Sequence, residues 1–196
     1  MLTNLEILPN PLQLNKLNFD ISSFDKFFKS VSFYLIKCGY KISFLDNKRP
    51  WGGFFAIDES QSQKFSNQFF DGIKIDNFRI AGRLSPKILT IKPKTRLSWQ
   101  YHFRREEIWK PFFGNIGVIK SMSNTQGELL ILNQSDQIKI DKKERHRIVG
   151  LDNYAVVSEI WQHTDKSNPS NENDICLLYT SPSPRDRTRS RMPSSA

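Results

Sequence analysis

Three histidines occur in the 196 residues, and two of them, His102 and His146, stand at the ends of β-type runs. The first lies in SWQYHFRREEIW (98–109), two positions after Gln100. Because side chains alternate on a strand, Gln100 and His102 share one face, and a short turn through Arg104 and Arg105 can return Glu107 beside them. His146 follows roughly forty residues later, a separation over which sequential hairpins bring a chain back to the same end of a barrel. Imidazole nitrogen, carboxylate oxygen and amide oxygen together suit a borderline divalent cation with positions left for water or substrate. A lone strand histidine is more often a hydrogen-bonded, half-buried residue, and glutamine is an uncommon donor, so spacing alone leaves both readings open.

The elements that must position these residues are short and β-rich. Residues 1–20 mix Leu with Asn and Pro without a period and read as an extended arm. Ser22 and Ser23 can cap a helix in which Phe24, Phe27, Phe28, Val31, Leu35 and Ile36 recur at helical spacing as far as Gly39. A short strand over 41–45, an aromatic strand in RPWGGFFAIDE (49–59) and a second helix over 60–70 follow. Beyond Lys74 come FRIAG, KILTIKP, RLSWQYHF, EIWKPFFG, IGVIKSM, GELLILN, QIKID, HRIVGLD and AVVSEIWQH, strands at the spacing of a sandwich or barrel. The predicted division is an arm and amphipathic helix over 1–48, a β-barrel over 49–165, a polar linker over 166–175 and a disordered tail over 176–196.

Composition favours one folded domain: 38 % of the residues are hydrophobic and 15 are Phe. No apolar run spans a bilayer and no leader is evident, so a cytoplasmic protein without a membrane partner is expected. Cys38 and Cys176 are too few for a disulfide scaffold and sit in no zinc-ligand pattern, so free thiols are expected. The formal charge of +9 is inflated by the final stretch, whose four Arg and one Asp leave 25 basic and 19 acidic residues elsewhere, a net +6. That remainder is scattered and carries no aromatic-basic motif, which favours an anionic small molecule over nucleic acid. Within the tail, CLLYTSPSPRD resembles the conceptual translation of a transposase-type sequencing adapter, which implies no evolved role from Cys176 onward. The alternative is a genuine Ser/Pro/Arg-rich tail touching nucleic acid or anionic lipid.

Gln100-x-His102, four residues, Glu107, six residues and Gly114 resemble the first motif of the cupins, with Gln in place of its first histidine, and His146 in ERHRIVGLDN takes the ligand position of the second. More narrowly, Arg49-Pro50-Trp51-Gly52, Lys87 in KILTIKP, SWQYHFRREEIW, His146-Arg147 and Glu159 in SEIWQH resemble the C-terminal domain of type II mannose-6-phosphate isomerases, over about residues 49 to 165. Within that group the chain looks like the stand-alone single-domain members seen in bacteria of the Bacteroidetes type, and no Gly-rich nucleotide-binding segment precedes the barrel, so nucleotide transfer is not expected. Lys94 and Lys143 depart from the pattern where the motifs have glycine, and Phe103 and Arg104 replace histidines.

The resemblance implies a mainly β cupin, that is, a double-stranded β-helix or jelly-roll barrel, with an N-terminal helical segment. It implies one divalent metal on Gln100, His102, Glu107 and His146, zinc first, with manganese, iron or cobalt as alternatives. It also implies aldose–ketose isomerisation of a phosphorylated sugar, mannose 6-phosphate to fructose 6-phosphate, in carbohydrate or polysaccharide metabolism. Glu159 shares a strand face with Val157 and Trp161, so it is the candidate base, or else a strand glutamate paired with a surface lysine. Lys87 is expected to orient substrate oxygens, or to be a solvated strand residue. Arg105 and Arg147 are candidate phosphate clamps, with solvated surface arginines as the alternative. Of the tryptophans, Trp109 and Trp161 are expected as pocket walls and Trp99 as core. A homodimer is expected by analogy alone, and a non-catalytic sugar or sugar-phosphate binder is the competing function.

Overall fold

The chain is described here by a computed structural model covering residues 17–72, 80 and 82–179. The first helix, α1 (Phe24–Lys37), starts where the Ser23 hydroxyl accepts from the Lys26 N–H, and Ser22 turns back on Asp20 instead. It stops at Cys38 and Gly39, the latter at φ 72°, a left-handed conformation that glycine adopts freely. Phe27, Phe28, Val31 and Leu35 form its buried stripe, whereas Ile36, expected on that stripe, is exposed. Full burial of a side chain such as Phe27 contributes about 3 kcal/mol.

The strands β1 (Ile42–Arg49) and β2 (Gly52–Ile57) form a hairpin, followed by a 3-10 turn (Glu59–Gln61) and α2 (Ser62–Phe69). Then come β3 (Lys87–Ile91), β4 (Trp99–Tyr101), β5 (Arg105–Phe113), β6 (Ile116–Ser121) and β7 (Leu129–Leu132). The last are β8 (Ile138–Ile140), β9 (Arg145–Gly150), β10 (Ala155–His163) and β11 (Cys176–Tyr179). Eight of the nine expected runs after Lys74 fall on strands. FRIAG falls mostly outside the described residues, where Ile80 makes one bridge to Arg83.

The strands form two antiparallel sheets, one ordered β1-β2-β3-β10-β5-β8 and the other β11-β4-β9-β6-β7. This is a mainly β architecture of two antiparallel sheets with an N-terminal helical segment, and the alternation of its strands explains its two main cores. Phe55, Ile88, Ile108, Val156 and Ile160 face outward on the larger sheet and pack under α1 and α2 with Phe27, Phe65 and Phe69. Their neighbours Phe54, Leu89, Trp109 and Val157 face inward and meet Ile116, Val118 and Ile148 of the smaller sheet. Both cysteines are free thiols, as expected.

Three boundaries shift. The division at 48/49 cuts through β1, which belongs to the larger sheet because its register with β2 runs from Ile42 to Arg49. The stretch 166–175 is a strap rather than a linker: Ser170 and Asp174 are buried and bonded to the barrel. Order also continues past Ile175, since Cys176–Tyr179 adds β11 to the edge at β4; residues 180–196 lie outside the described residues.

Candidate metal centre and the cavity it faces

Strand alternation brings His102, Glu107 and His146 together. Glu107 shares the inward face of β5 with Arg105 and Trp109, while Gln100 lies directly opposite His146 in the β4–β9 pairing. The ligand atoms of His102, Glu107 and His146 all lie within 4.8 Å of one another, and all three side chains are buried. Each imidazole is held by its far nitrogen: His102 Nδ1 donates to the Asp174 carbonyl at 2.5 Å and His146 Nδ1 to the Glu144 carbonyl at 2.8 Å. With the proton on Nδ1, the neutral form of each ring presents its lone pair at Nε2, and the two Nε2 atoms lie toward Glu107 at 3.2 Å and 3.6 Å.

The Nε2 of His146 is buried and meets no hydrogen-bond partner among the described residues. A buried acceptor without a donor costs roughly 1–3 kcal/mol, and a cation relieves it. The donor set therefore fits a divalent ion of the zinc, manganese, iron or cobalt kind. Burial alone would push the Glu107 carboxyl up, but His102 and Arg105 beside it outweigh that and hold it well below the usual range. His146 is pushed down to about 4, chiefly by burial. An ionised Glu107 carboxylate and a neutral His146 imidazole are the protonation states that metals take. Gln100, expected as a fourth ligand, lines the adjoining cavity beside Arg105 and Glu107.

The cavity has a volume of about 760 Å³. Its wall carries the site's Glu107 together with Glu159, Lys87, Trp161, Trp51 and Phe54. Glu159 is buried and faces inward across from Lys87 on β3 and Trp109 on β5. Its two oxygens accept the indole N–H groups of Trp109 and Trp161 at 2.9 and 2.8 Å. Burial, with the Glu107 charge nearby, pushes the Glu159 carboxyl up to about 7. It is thus no surface glutamate paired with a solvated lysine. Trp161 lines the cavity as expected, whereas Trp109 is buried behind it and meets His146 edge-on at 5.4 Å. Trp99 is core, on the outer face of the smaller sheet.

Two expected phosphate clamps are otherwise engaged. Arg105 is buried: its Nε donates to Glu107 at 2.7 Å, its Nη1 to Ser170 and two strap carbonyls, and its Nη2 to His102 Nε2 at 3.1 Å. It steadies the ligands and the strap instead of facing solvent. Arg147 follows His146 by one residue and so points to the other face of β9, where it is fully buried and donates to the Leu97 carbonyl at 2.8 and 2.6 Å. It is absent from the cavity wall.

The strap is what sequence reasoning missed. Asp174 accepts from the N–H groups of Phe103 and Arg104 and from the Ser170 hydroxyl, while its carbonyl fixes His102. Those hydrogen bonds pull the Asp174 carboxyl below its ordinary value despite the opposing effect of burial. His163, the third histidine, lies opposite Arg105 with both ring nitrogens unpartnered among the described residues, outside the three-residue cluster.

No family model matches the chain, and no curated protein matches it. Solved structures with similar folds include oxalate decarboxylase of Lactobacillus farciminis, at 15 % identity and TM-score 0.48 over 69 % of this chain and 33 % of that one. Vicilin of hazelnut, Corylus avellana, is 15 % identical with TM-score 0.47 over 71 % and 34 %. The DMSP lyase DddQ of Ruegeria pomeroyi is 14 % identical with TM-score 0.41 over 51 % and 45 %. The matches cover less than half of each of these proteins. Among the described residues no helix is long and apolar enough to cross a membrane.

Proposed function

We propose that this chain is a metal-dependent aldose–ketose isomerase acting on a phosphorylated sugar, similar to the mannose-6-phosphate isomerases, which interconvert mannose 6-phosphate and fructose 6-phosphate. The observation that carries the reading is Glu159: a buried carboxyl with a proton affinity near neutrality, on the wall of the same cavity as Glu107 of the His–Glu–His cluster. A divalent ion held by His102, Glu107 and His146, with Gln100 beside them, would supply an electrophile for the sugar's carbonyl and hydroxyl oxygens. Glu159 takes the proton from one carbon and returns it to the next, work that suits a base poised near the operating pH. Lys87 supplies a cation to substrate oxygens, and the walls of Trp51, Phe54 and Trp161 keep water from the exposed proton.

The test is turnover of mannose 6-phosphate by metal-loaded protein in deuterated water. Deuterium should enter carbon 1 of the fructose 6-phosphate formed and, through the reverse reaction, carbon 2 of the mannose 6-phosphate pool, and Glu159→Gln should lower kcat by roughly 10²–10⁴-fold while leaving ligand affinity within about threefold. One observation favours the second reading, a sugar-phosphate binder without turnover: both Glu159 oxygens are already engaged by indole N–H groups. In that case the loaded protein binds the sugar phosphate, washes in no deuterium, and Glu159→Gln changes nothing but fit.

A further inference from the structure

With Arg105 and Arg147 committed elsewhere, the cavity wall retains two other cationic side chains, Lys87 and Arg49. Arg49 is about half exposed and pairs with Asp46 at 2.8 Å on its own strand. Lys87 is different. Its side chain is 8 % exposed, and its ammonium lies 3.7 Å from the Trp161 ring centroid and 5.4 Å from that of Phe54. Its ion-pair partner is Glu172, at 2.6 Å, on the turn of the strap, and Glu172 is 69 % exposed.

That asymmetry is informative. A buried ammonium between aromatic faces keeps its position and needs an anion, whereas an exposed carboxylate on a loop is held by little and loses little on returning to water. Glu172 and the neighbouring Asn173 both line the cavity, so an incoming ligand meets the Lys87–Glu172 pair at the wall. A carboxylate oxygen and a phosphate oxygen make the same charge-assisted contact to an ammonium.

We propose that Lys87 is the anion subsite of the cavity, that the ligand's phosphate binds there by displacing Glu172, and that Glu172 is a built-in competitor that lowers affinity for anionic ligands. The proposal deepens the isomerase reading and rests on it for the cavity being the ligand site, by assigning which substrate oxygens Lys87 holds. It needs no turnover. Phosphate leaves Lys87 with the same ion-pair geometry, and the strap's Glu172 moves to solvent while Asp174 stays bonded to the barrel.

The experiment is calorimetric titration of the full chain, metal-loaded, with inorganic phosphate, mannose 6-phosphate and uncharged mannose. Glu172→Gln should tighten phosphate and mannose 6-phosphate by roughly two- to fivefold, the size of an exposed ion pair, and leave mannose unchanged. Lys87→Gln should weaken both anions by at least about thirtyfold. Asp152→Asn, which removes an exposed carboxylate paired with Lys94 elsewhere, should change nothing. Because Glu172 is exposed, its variant reports even where the Lys87 variant fails to fold. Unchanged phosphate affinity in Glu172→Gln, or equal gains in Glu172→Gln and Asp152→Asn, overturns the subsite. Phosphate binding with this pattern in a protein that never turns over sinks the isomerase reading and leaves the subsite standing.

Discussion

The Nε2 of His146 lies 3.6 Å from a Glu107 oxygen, buried, with no hydrogen-bond partner among the described residues. The same imidazole is tied at Nδ1 to the Glu144 carbonyl, so its free lone pair is fixed in direction by the backbone of its own strand end. A folded protein accepts an unsatisfied buried acceptor when something outside the chain completes it, and here the neighbours are the Glu107 carboxylate and the His102 imidazole.

Asp174 controls the other histidine from the strap. Asp174→Ala removes the acceptor for the N–H groups of Phe103 and Arg104 and frees the carbonyl that orients His102. Metal affinity, measured by chelator competition, should fall roughly 10- to 100-fold, as for other partners that orient a metal-bound imidazole.

The raised Glu159 carboxyl gives two pH signatures. As a base it must be ionised, so kcat/KM falls below about pH 7, approaching tenfold per pH unit. For folding the sign is opposite: a carboxyl whose folded pKa exceeds its ordinary 4.5 stabilises the fold fully below that value, and loses the contribution as pH rises through about 7. His146, pushed down to about 4, acts in the other direction between there and 6.5, stabilising as pH rises. Comparing metal-free wild type with Glu159→Gln isolates the first effect: the wild type should lose stability relative to the variant between pH 5 and pH 8 in denaturant titrations, a window chosen about the value near 7.

Arg147 is a structural residue. Arg147→Gln removes a buried charged donor to the Leu97 carbonyl and should cost roughly 1.5–3 kcal/mol in urea unfolding. Affinity for mannose 6-phosphate should stay within about twofold in the folded fraction, because this side chain is on the far face of β9.

Lys94 and Lys143 adopt φ of 56° and 65°, the left-handed region in which a Cβ is strained. Replacing each with glycine should therefore raise stability by about 0.5–1 kcal/mol per site, read as an increase in Tm. Lower stability in both variants would show that the lysine side chains contribute more than the backbone strain costs.

The strand pattern made most of this fold legible. Alternation in AVVSEIWQH places Val157, Glu159 and Trp161 on one face, and the structure keeps them there. The same rule, applied to His146 and Arg147, already sets them on opposite faces, so the clamp role expected of Arg147 conflicted with the ligand role of its neighbour. Arg105 shares the Glu107 face by alternation, yet its commitment to Ser170 and Asp174 depends on a segment more than sixty positions away, about which local spacing says nothing. The strap itself, Asn168 to Asp174, is held by hydrogen bonds from polar side chains and turns, which leave no hydrophobic period to read. The turns at Lys94 and Lys143 lacked their usual signal because glycine is absent where the backbone turns left-handed.

The direct measurement is divalent-metal content by elemental analysis after exhaustive dialysis against a trace of zinc or manganese, for the wild type, Glu107→Gln and His146→Ala. The account predicts about one ion per chain in the wild type, a matching rise in Tm, and loss of both in each variant. A wild type that holds no ion, or variants that hold it as tightly as the wild type, would contradict the metal centre and remove the electrophile from the proposed reaction.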